Sequence, residues 1–307
     1  MTLLFIVNPA AKNGKAIKVW RKLEKNLLKQ SVEYKVYFTK GQKDAVQYVK
    51  SYLENTKEPV TFVAVGGDGT IHEVINGIYT FQHGIIGYIP AGSGNDFGRG
   101  FPIPSNPMKW FSSKEIHKLK KKWFDLGVFN GGRGSGVFIN NLGMGFDAKV
   151  ATQVNRSKVK HFLNRLSLGK LAYVYFLIKE LFLFKPGTLT VEVDGKTEQF
   201  HRAWFATVCN QPYFGGGMKL SPESKPDDGE LEVVVVHNIS RYKILFLFMT
   251  VFWGGHTKLK EVAILKGKDI RIEGEKGLPV HADGEYIGEG PIQISANRGS
   301  VPIIVNE

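Results

Sequence analysis

The sequence predicts an α/β domain built on a parallel sheet, followed by an antiparallel β-sandwich domain. In residues 1–125, short apolar runs alternate with amphipathic, helix-like stretches, which is the pattern of a parallel α/β sheet. In residues 126–291, short β-branched and aromatic runs are separated by glycine or polar turns, as expected of antiparallel strands. With 307 residues, 43% of them hydrophobic, the chain is long enough for two domains with their own cores.

One strand–loop–helix unit in the first domain is typical of a phosphate site. Val60–Val65 forms a buried-strand pattern that leads directly into Gly66-Gly67-Asp68-Gly69-Thr70, and apolar residues then recur at helical spacing up to Ile78. Glycines let the backbone approach an anion, the helix that follows directs N–H groups at it, and the Asp68 carboxylate suits Mg²⁺. The alternative interpretation is an ordinary strand–turn–helix connection.

Two further units of this kind favour the phosphate interpretation. Leu3–Val7 precedes the loop Asn8–Lys15 and an amphipathic stretch, Ile17–Leu28, while Ile85–Ile89 precedes the loop Pro90–Phe97. Because loops at the carboxyl ends of neighbouring parallel strands share one crevice, we expect the three loops to converge on one ligand. The sequence has no Gly-x-x-x-x-Gly-Lys-[Ser/Thr], which argues against a P-loop ATPase.

Two smaller signals accompany these loops. Thr70 and Glu73 have the spacing of a capping box, which predicts that the helix begins at the end of its loop. Thr39 follows the strand pattern Tyr34–Phe38 and is expected close to the other strand ends.

Composition limits the partners and the compartment. A net charge of +13 favours an anionic partner: a nucleotide, a nucleic acid or an acidic membrane surface. Because no zinc-finger spacing, RNP-type motif or recognition-helix pattern is found, we expect no nucleic acid partner. Cys209 is the only cysteine, which fits a reducing compartment, and Asn8-Pro9 interrupts the first apolar run too early for a signal peptide. We therefore expect a cytoplasmic protein, and a homodimer is compatible with the sequence.

Several local predictions concern the middle of the chain. A helix is expected near 107–122, a strand at Val137–Asn141, and a hairpin turn at Asp194-Gly195. The pattern Gly143-x-Gly145-x-x-Ala148 resembles a dinucleotide fingerprint, but the segment after it, 153–170, has neither the second parallel strand nor the acidic residue that this fold requires. We therefore do not predict a Rossmann site.

Two apolar segments are candidates for contact with a lipid. Residues 171–184 form a hydrophobic, aromatic stretch that is shorter than the roughly 18–20 apolar residues needed to span a bilayer. Basic residues precede it, namely Arg156, Lys158, Lys160, His161, Arg165 and Lys170. A helix of this kind can lie on an anionic membrane or line an acyl-chain cleft, and 244–253 is a candidate for the facing wall. A helix buried against the sandwich is the alternative. Lys118 and Lys120–Lys122 add a second basic patch.

Four motifs, taken in order, resemble one known family. Asn8-Pro9, Gly66–Thr70, Gly92-Ser93-Gly94-Asn95-Asp96-Phe97 and Asp283-Gly284-Glu285 closely resemble the diacylglycerol kinase catalytic-domain family, which includes sphingosine kinases and soluble bacterial lipid kinases. The resemblance extends over nearly the whole chain through Asn140–Ala148 and 213–229. Ser93 stands where bacterial members usually carry Thr and keeps the hydroxyl. The resemblance implies a three-layer α/β nucleotide-binding domain, a β-sandwich, and a last segment, 292–307, that packs back on the first domain.

The resemblance also implies an activity and its site. It implies transfer of the γ-phosphoryl group of ATP to diacylglycerol or a related lipid, with Mg²⁺ as cofactor and Glu285 as the base. Asp68, Asp125 and Glu285 are then expected to cluster around Mg²⁺, and Asp228 to bind a second, structural Mg²⁺ with the backbone carbonyls of Lys225 and Glu230. The implied ATP-binding residues are Asn8, Pro9, Ala10, Asn13, Gly14, Thr39, Gly66, Gly67, Asp68, Gly69, Thr70, Glu73, Gly92, Ser93, Gly94 and Asn95.

Residue types alone leave other interpretations open. Asp283-Gly284 is equally suited to a hairpin turn, 227–230 to a polar turn, and Lys12 and Lys15 to solvated side chains. An NAD or other small-molecule kinase would use the same phosphate loops. A non-catalytic regulator that binds lipid or nucleotide is the third hypothesis. For the lipid kinase we expect peripheral contact with an anionic membrane.

Overall fold

The computed structural model describes residues 2–104, 119–157 and 169–306. The chain divides into two compact units, Met1–Phe124 with Gly299–Glu307 (unit 1) and Asp125–Arg298 (unit 2). Most of the helix expected near 107–122 lies outside the described residues. Its last part is wrong, because Lys120–Lys122 begin a β-strand.

Unit 1 is built on a parallel sheet. Its elements are β1 (Thr2–Val7), α1 (Lys15–Lys29), β2 (Lys35–Phe38), α2 (Asp44–Glu54), β3 (Val60–Gly66), α3 (Asp68–Ile78), β4 (Gly84–Pro90) and α4 (Phe97–Gly100). The strand order is β2-β1-β3-β4, with every pair parallel. On the far side of β4, Ile303 of the last strand pairs in parallel with Ile86. The alternation of strands and helices predicted from the sequence is thereby confirmed.

Helices cover both faces of this sheet. On one face, Phe5 and Val7 of β1 pack with Trp20 and other apolar residues of α1. On the other face, Tyr52 of α2 makes an edge-to-face ring contact with Phe62 of β3. β3 is buried along its whole length, as a central parallel strand covered on both faces must be. Unit 1 therefore has the predicted three layers.

Unit 2 is mainly antiparallel. Its strands are β5 (Lys120–Gly131), β6 (Gly134–Phe138), β7 (Asn141–Gly145), β8 (Gly187–Val193), β9 (Lys196–Cys209), β10 (Tyr213–Phe214), β11 (Met218–Lys219), β12 (Leu231–His237), β13 (Val262–Gly267), β14 (Asp269–Gly274), β15 (Pro279–Ala282), β16 (Glu285–Glu289) and β17 (Ile292–Val305); the first few residues of β5 and the last of β17 belong to unit 1. Its helices are α5 (Phe146–Arg156), α6 (Gly169–Leu183) and α7 (Arg241–Thr250), followed by 3₁₀ turns at Val251–Trp253 and Gly255–Lys258.

Among the described residues, the sandwich has two apolar cores. The first lies among strands only and includes Leu231, Val233 and Val235 of β12. The second receives the alternate residues of the same strand, Val234 and Val236, and is covered by α5, α6 and α7. Because successive strand residues point to opposite faces, this buried strand serves both cores.

The hairpin at Asp194-Gly195 is confirmed, since Val193 pairs with Lys196 and both turn residues have positive φ. In the part of unit 2 that the structure describes, β7 pairs antiparallel with β9 and β15 before α5 begins, which is not the parallel pairing of a Rossmann unit. The single strand expected at 137–141 is wrong, because β6 ends at Phe138 and β7 begins at Asn141. Among the described residues, no helix has the length and apolar character needed to cross a membrane.

Candidate active site

Asn8, directly after β1, ties two of the glycine-rich loops together. Its backbone N–H donates to the carbonyl of Val65 at 3.0 Å, and its side-chain Nδ2 donates to the Thr70 hydroxyl at 3.1 Å. The Asn8 Oδ1 atom accepts the N–H of Ala10 at 3.0 Å, which turns the chain over Pro9. Lys12, Asn13 and Gly14 then adopt left-handed conformations before α1 begins.

Glycines allow the second and third loops to touch. A Cβ atom on Gly66 would overlap the Thr70 side chain, and a Cβ atom on Gly92 would overlap the Cα atom of Gly67. The N–H of Ala91 donates to the Gly66 carbonyl at 2.7 Å. The loops after β1, β3 and β4 therefore meet at one edge of the sheet, as the sequence predicted.

Asn95 and Tyr88 fix the conformation of the third loop. Asn95 is left-handed, with φ of 57°, and its Oδ1 atom accepts the N–H of Gly92 at 2.9 Å and the hydroxyl of Tyr88 at 3.1 Å. Burial raises the pKa of Tyr88 well above its ordinary value, and the carboxylates of Asp68 and Asp96 raise it further. The buried phenol therefore remains a hydrogen-bond donor, and Ser93 is left exposed at the tip of the loop.

Asp68 lies in the first turn of α3 and is half-buried. Its Oδ1 atom accepts the N–H of Phe97, at the start of α4, at 3.0 Å. An acidic residue is favourable at a helix N-terminus. The carboxylate thus joins the second loop to the third.

The predicted capping box is wrong. α3 begins at Asp68 with Gly67 as its N-cap, so Thr70 already lies inside the helix. The Glu73 carboxylate instead accepts the backbone N–H groups of Lys43 and Ala45, at 2.7 and 3.1 Å. It therefore caps α2, a helix distant in sequence. The N–H of Thr39 donates to the Val7 carbonyl at 2.9 Å, which places Thr39 beside the first loop.

In unit 2, Glu285 is the first residue after a hairpin turn. Ala282 pairs with Glu285, and Asp283 and Gly284 have φ of 47° and 85°. The Asp283 carboxylate accepts three backbone N–H groups, those of Ile139, Asn140 and Asn141, at 2.8–3.0 Å. These bonds explain why the predicted 137–141 strand is interrupted. Asp-Gly therefore forms the turn, and Asp283 holds the turn that presents the half-buried Glu285.

Asp125 is hydrogen-bonded to the polar loop at 226–229. The residue is only 1% exposed. Its Oδ2 atom accepts the N–H of Gly229 at 2.6 Å, and its backbone N–H donates to the Pro226 carbonyl at 2.8 Å. Asp125 therefore fixes the loop that carries Asp228.

Asp228 faces a lysine. Its Oδ1 atom accepts the N–H of Glu230 at 3.1 Å, while Lys266 Nζ lies 2.8 Å from Asp228 Oδ2 and 3.1 Å from Glu230 Oε2. These hydrogen bonds, with Asp228 contributing most, raise the pKa of Lys266. A cationic group thus already neutralises the carboxylate predicted to bind the second Mg²⁺. Within the described ranges, no three His, Cys, Asp or Glu side chains are grouped so as to hold a metal ion.

An apolar pocket opens between α6 and α7 in unit 2. Its cavity volume is about 70 Å³, within a wider concavity of about 670 Å³ that includes open solvent. Leu177, Leu181, Ile244, Leu245 and Phe248 line it, and Asp147 is the one charged residue among the described residues that do. The two apolar segments noted in the sequence therefore form walls of one pocket, which is one of the arrangements that the sequence left open.

The outer sides of the same helices are exposed. The exposed apolar residues of α6 and α7, with the 3₁₀ turn after α7, are called here the apolar face: Val174, Tyr175, Ile178, Phe182, Leu183, Tyr242, Leu245, Phe246, Met249, Phe252 and Trp253. Phe246 and Trp253 are 69% and 65% exposed. Of the basic residues expected before α6, Lys158, Lys160, His161 and Arg165 lie outside the described residues, as does Lys118.

Two family models cover nearly the whole chain. Residues 2–132 match the diacylglycerol kinase catalytic domain, and residues 140–305 match the "YegS C-terminal NAD kinase beta sandwich-like domain". The second match alone spans more than half of the 307 residues. The chain belongs to the diacylglycerol kinase family. The resemblance inferred from the four motifs is thereby confirmed.

Individual relatives can be aligned with this chain over nearly their whole length. The chain is 33% identical to the "Putative lipid kinase YtlR" of Bacillus subtilis, over 97% of this chain and 98% of that protein. It is 26% identical to a diacylglycerol kinase of Mycobacterium tuberculosis, with 97% and 93% covered. The fold is similar to the crystal structure of "a putative diacylglycerol kinase from Bacillus anthracis", with a TM-score of 0.74 at 26% identity, covering 99% of this chain and 95% of that one.

Sequence reasoning missed the residues that hold the site in place. Asp283 belongs to the Asp-Gly-Glu motif and to a predicted turn, but no local signal shows that its carboxylate reaches 139–141. The roles of Tyr88 and Glu73 likewise depend on contacts distant in sequence. Asp147 lies in the first turn of α5, where an acidic residue has an ordinary helical explanation.

Proposed function

We propose that this protein is an ATP- and Mg²⁺-dependent lipid kinase that transfers the γ-phosphoryl group to the hydroxyl of diacylglycerol or a related membrane lipid. Family membership supports a kinase. The observation that carries a lipid acceptor is the apolar pocket between α6 and α7, because ligand pockets lined almost entirely by apolar side chains suit acyl chains rather than small polar molecules.

The nucleotide is held by the three loops of unit 1. Neighbouring atoms leave no room for a side chain at Gly66, Gly67 or Gly92, and glycine-rich loops before a helix let the backbone approach a phosphate. The Asn8–Thr70 hydrogen bond joins the first loop to the second, and Asn95 fixes the conformation of the third. The remaining predicted contacts are Pro9, Ala10, Asn13, Gly14, Thr39, Gly69, Glu73, Ser93 and Gly94.

The donor set fits Mg²⁺ in the nucleotide-binding unit. Asp68 supplies a half-buried carboxylate beside the glycine loops, and Mg²⁺ in kinases is held by one or two carboxylates together with phosphate oxygens. When bound, the ion neutralises charge that develops on the transferred group. Asp125 of unit 2 is proposed to contribute through the loop at 226–229 that its carboxylate holds.

Glu285 acts on the acceptor. Its carboxylate takes the proton of the lipid hydroxyl as the lipid oxygen bonds to the γ-phosphorus, and the bond from that phosphorus to the bridging oxygen breaks to release ADP. The hairpin turn with its three hydrogen bonds to Asp283 supports this role, because a general base must be held in a fixed position.

The apolar face is proposed to rest on the membrane that contains the acceptor. Contiguous exposed aromatic and aliphatic side chains mark an interaction surface, and the same two helices line the pocket. Lys179 and Lys185 are exposed in or beside α6 and favour anionic headgroups. A lipid can then pass from the bilayer into the pocket without crossing water.

The experiment is a lipid-panel transfer assay. Protein, γ-labelled ATP and Mg²⁺ are incubated with vesicles that contain diacylglycerol, phosphatidylglycerol or a sphingoid base, and with NAD in parallel. We expect label in a vesicle lipid and none in NAD. Label in NAD without dependence on vesicles would show a small-molecule kinase, and nucleotide binding without transfer would show a non-catalytic regulator.

A further inference from the structure

Unit 2 contains a buried polar chain that the reaction described above does not use. Thr207 and His281 are 0% and 1% exposed, and Asp147 is 7% exposed. The Thr207 hydroxyl donates to Asp147 Oδ2 at 2.7 Å, and His281 Nε2 lies 3.3 Å from the same oxygen. The other oxygen, Oδ1, accepts the N–H of Ala148 at 2.7 Å.

The histidine tautomer follows from its second partner. The backbone N–H of Gly284 donates to His281 Nδ1 at 3.2 Å, so Nδ1 is an acceptor and carries no proton. In a neutral imidazole the proton is then on Nε2, which donates it to Asp147. The ring thus connects a carboxylate of α5 to Gly284, the residue immediately before Glu285.

The sheet leaves space for these hydrogen-bonded side chains at Gly143. Thr207, Gly143 and His281 lie side by side on β9, β7 and β15, because Gly143 pairs with both of the others. A Cβ atom on Gly143 would overlap both Asp147 Oδ2 and His281 Nε2. The absence of a side chain at the middle strand opens the space that the Asp147 carboxylate fills.

Asp147 also lies in the wall of the apolar pocket. Burying a carboxylate beside apolar groups is costly unless hydrogen bonds compensate it. Here three donors do so, and one of them leads to the turn before Glu285. Asp283 fixes the other side of the same turn through 139–141.

We propose that His281 and Asp147 are positioning residues, which set the orientation of Glu285 from the wall of the apolar pocket. This inference rests on the proposed function. His281 accepts the Gly284 N–H and fixes the peptide that leads into Glu285, while Asp147 holds the imidazole in the tautomer that can accept. Loss of either contact misplaces the base without touching the nucleotide loops.

Two amide variants separate the two hydrogen bonds of His281, one to the Gly284 N–H and one to Asp147. In His281→Asn the amide oxygen can stand in place of Nδ1 and accept the Gly284 N–H, whereas in His281→Gln the amide nitrogen can stand in place of Nε2 and retain only the bond to Asp147. We expect kcat for lipid phosphorylation to fall on the order of tenfold to a hundredfold in His281→Gln and in Asp147→Asn, and less than about threefold in His281→Asn, because small misplacements of a base are costly. KM for ATP should stay within about twofold, since unit 1 is untouched.

Thr207→Val is the matched control, because it removes a hydrogen bond to Asp147 from an equally buried site but leaves the histidine link. Its kcat should be close to that of the wild type. Hydrogen exchange at the Gly284 amide gives a second readout, which should accelerate in His281→Gln and stay slow in His281→Asn. A folded His281→Gln protein with wild-type kcat and slow Gly284 exchange overturns the inference alone. A wild-type protein that phosphorylates no lipid overturns the proposed function and this inference together.

Discussion

Gly92 passes so close to Gly67 that a Cβ atom on Gly92 would overlap the backbone of its neighbour. The two glycines come from different loops, and the contact brings the carboxyl ends of β3 and β4 together. This approach, with the Asn8–Thr70 hydrogen bond, forms the proposed phosphate cradle.

Gly92→Ala tests the cradle. Because a backbone atom occupies the space that the methyl group needs, the free energy of unfolding should fall by about 1–3 kcal/mol, and ATP affinity should fall with it. Urea unfolding and nucleotide titration measure the two effects. Gly41→Ala is the control, since nothing lies within 4 Å of its Cβ position. Equal ATP affinity in both variants would contradict a cradle at Gly92.

Lys266→Met tests the second Mg²⁺ that the sequence analysis expects at Asp228. The ammonium of Lys266 would compete with a metal ion for Asp228 Oδ2. In the presence of a metal chelator, its removal should lower the free energy of unfolding by up to about 1 kcal/mol, because the ion pair is partly exposed. Mg²⁺ should then raise the Tm of the variant more than that of the wild type, because a ligand of the folded state stabilises it. Identical Mg²⁺ responses in both proteins would count against a metal at Asp228.

Leu245→Trp tests the acyl-chain pocket. Leu245 lines the pocket, so a larger side chain there should raise KM for long-chain diacylglycerol severalfold and leave short-chain substrates nearly unchanged. The control is Phe246→Trp on the same helix, which is not among the lining residues. If both chain lengths respond equally to Leu245→Trp, the pocket does not hold the acyl chain.

Phe246→Ser tests the apolar face. Removal of a side chain that is 69% exposed should weaken cosedimentation with anionic vesicles severalfold, because its apolar area no longer enters the interface. Leu28→Ser in α1, at 65% exposure, is the matched control and should bind like the wild type. Raised salt should weaken binding of every variant through the basic residues. Equal loss in both variants would show that the contact is not confined to this face.

The fold was predictable where the signal is local. The apolar runs of β1, β3 and β4 and the glycine loops after them have a period and a turn chemistry that the sequence displays directly. The hairpin at Asp194-Gly195 was predictable for the same reason, because Asp and Gly favour the left-handed conformations that its turn requires.

The supports of the site were not predictable, because they join residues distant in sequence. Glu73 has capping-box spacing with Thr70, yet its carboxylate caps α2, whose N–H groups are closer in space. Asp283 interrupts the strand expected at 137–141 by binding its N–H groups from 142–144 residues away. The spacing of residues in the sequence does not show whether a carboxylate binds a nearby N–H group or one that is distant in sequence.

The central claim is that Glu285 removes the proton of the lipid hydroxyl. Glu285→Gln keeps the size of the side chain and removes its basicity. In a rapid-mixing single turnover with labelled ATP, Mg²⁺ and diacylglycerol vesicles, the variant should bind ATP as the wild type does but transfer phosphoryl groups at least 10²-fold more slowly, the lower end of what general base catalysis contributes. A transfer rate within twofold of the wild type would contradict the account.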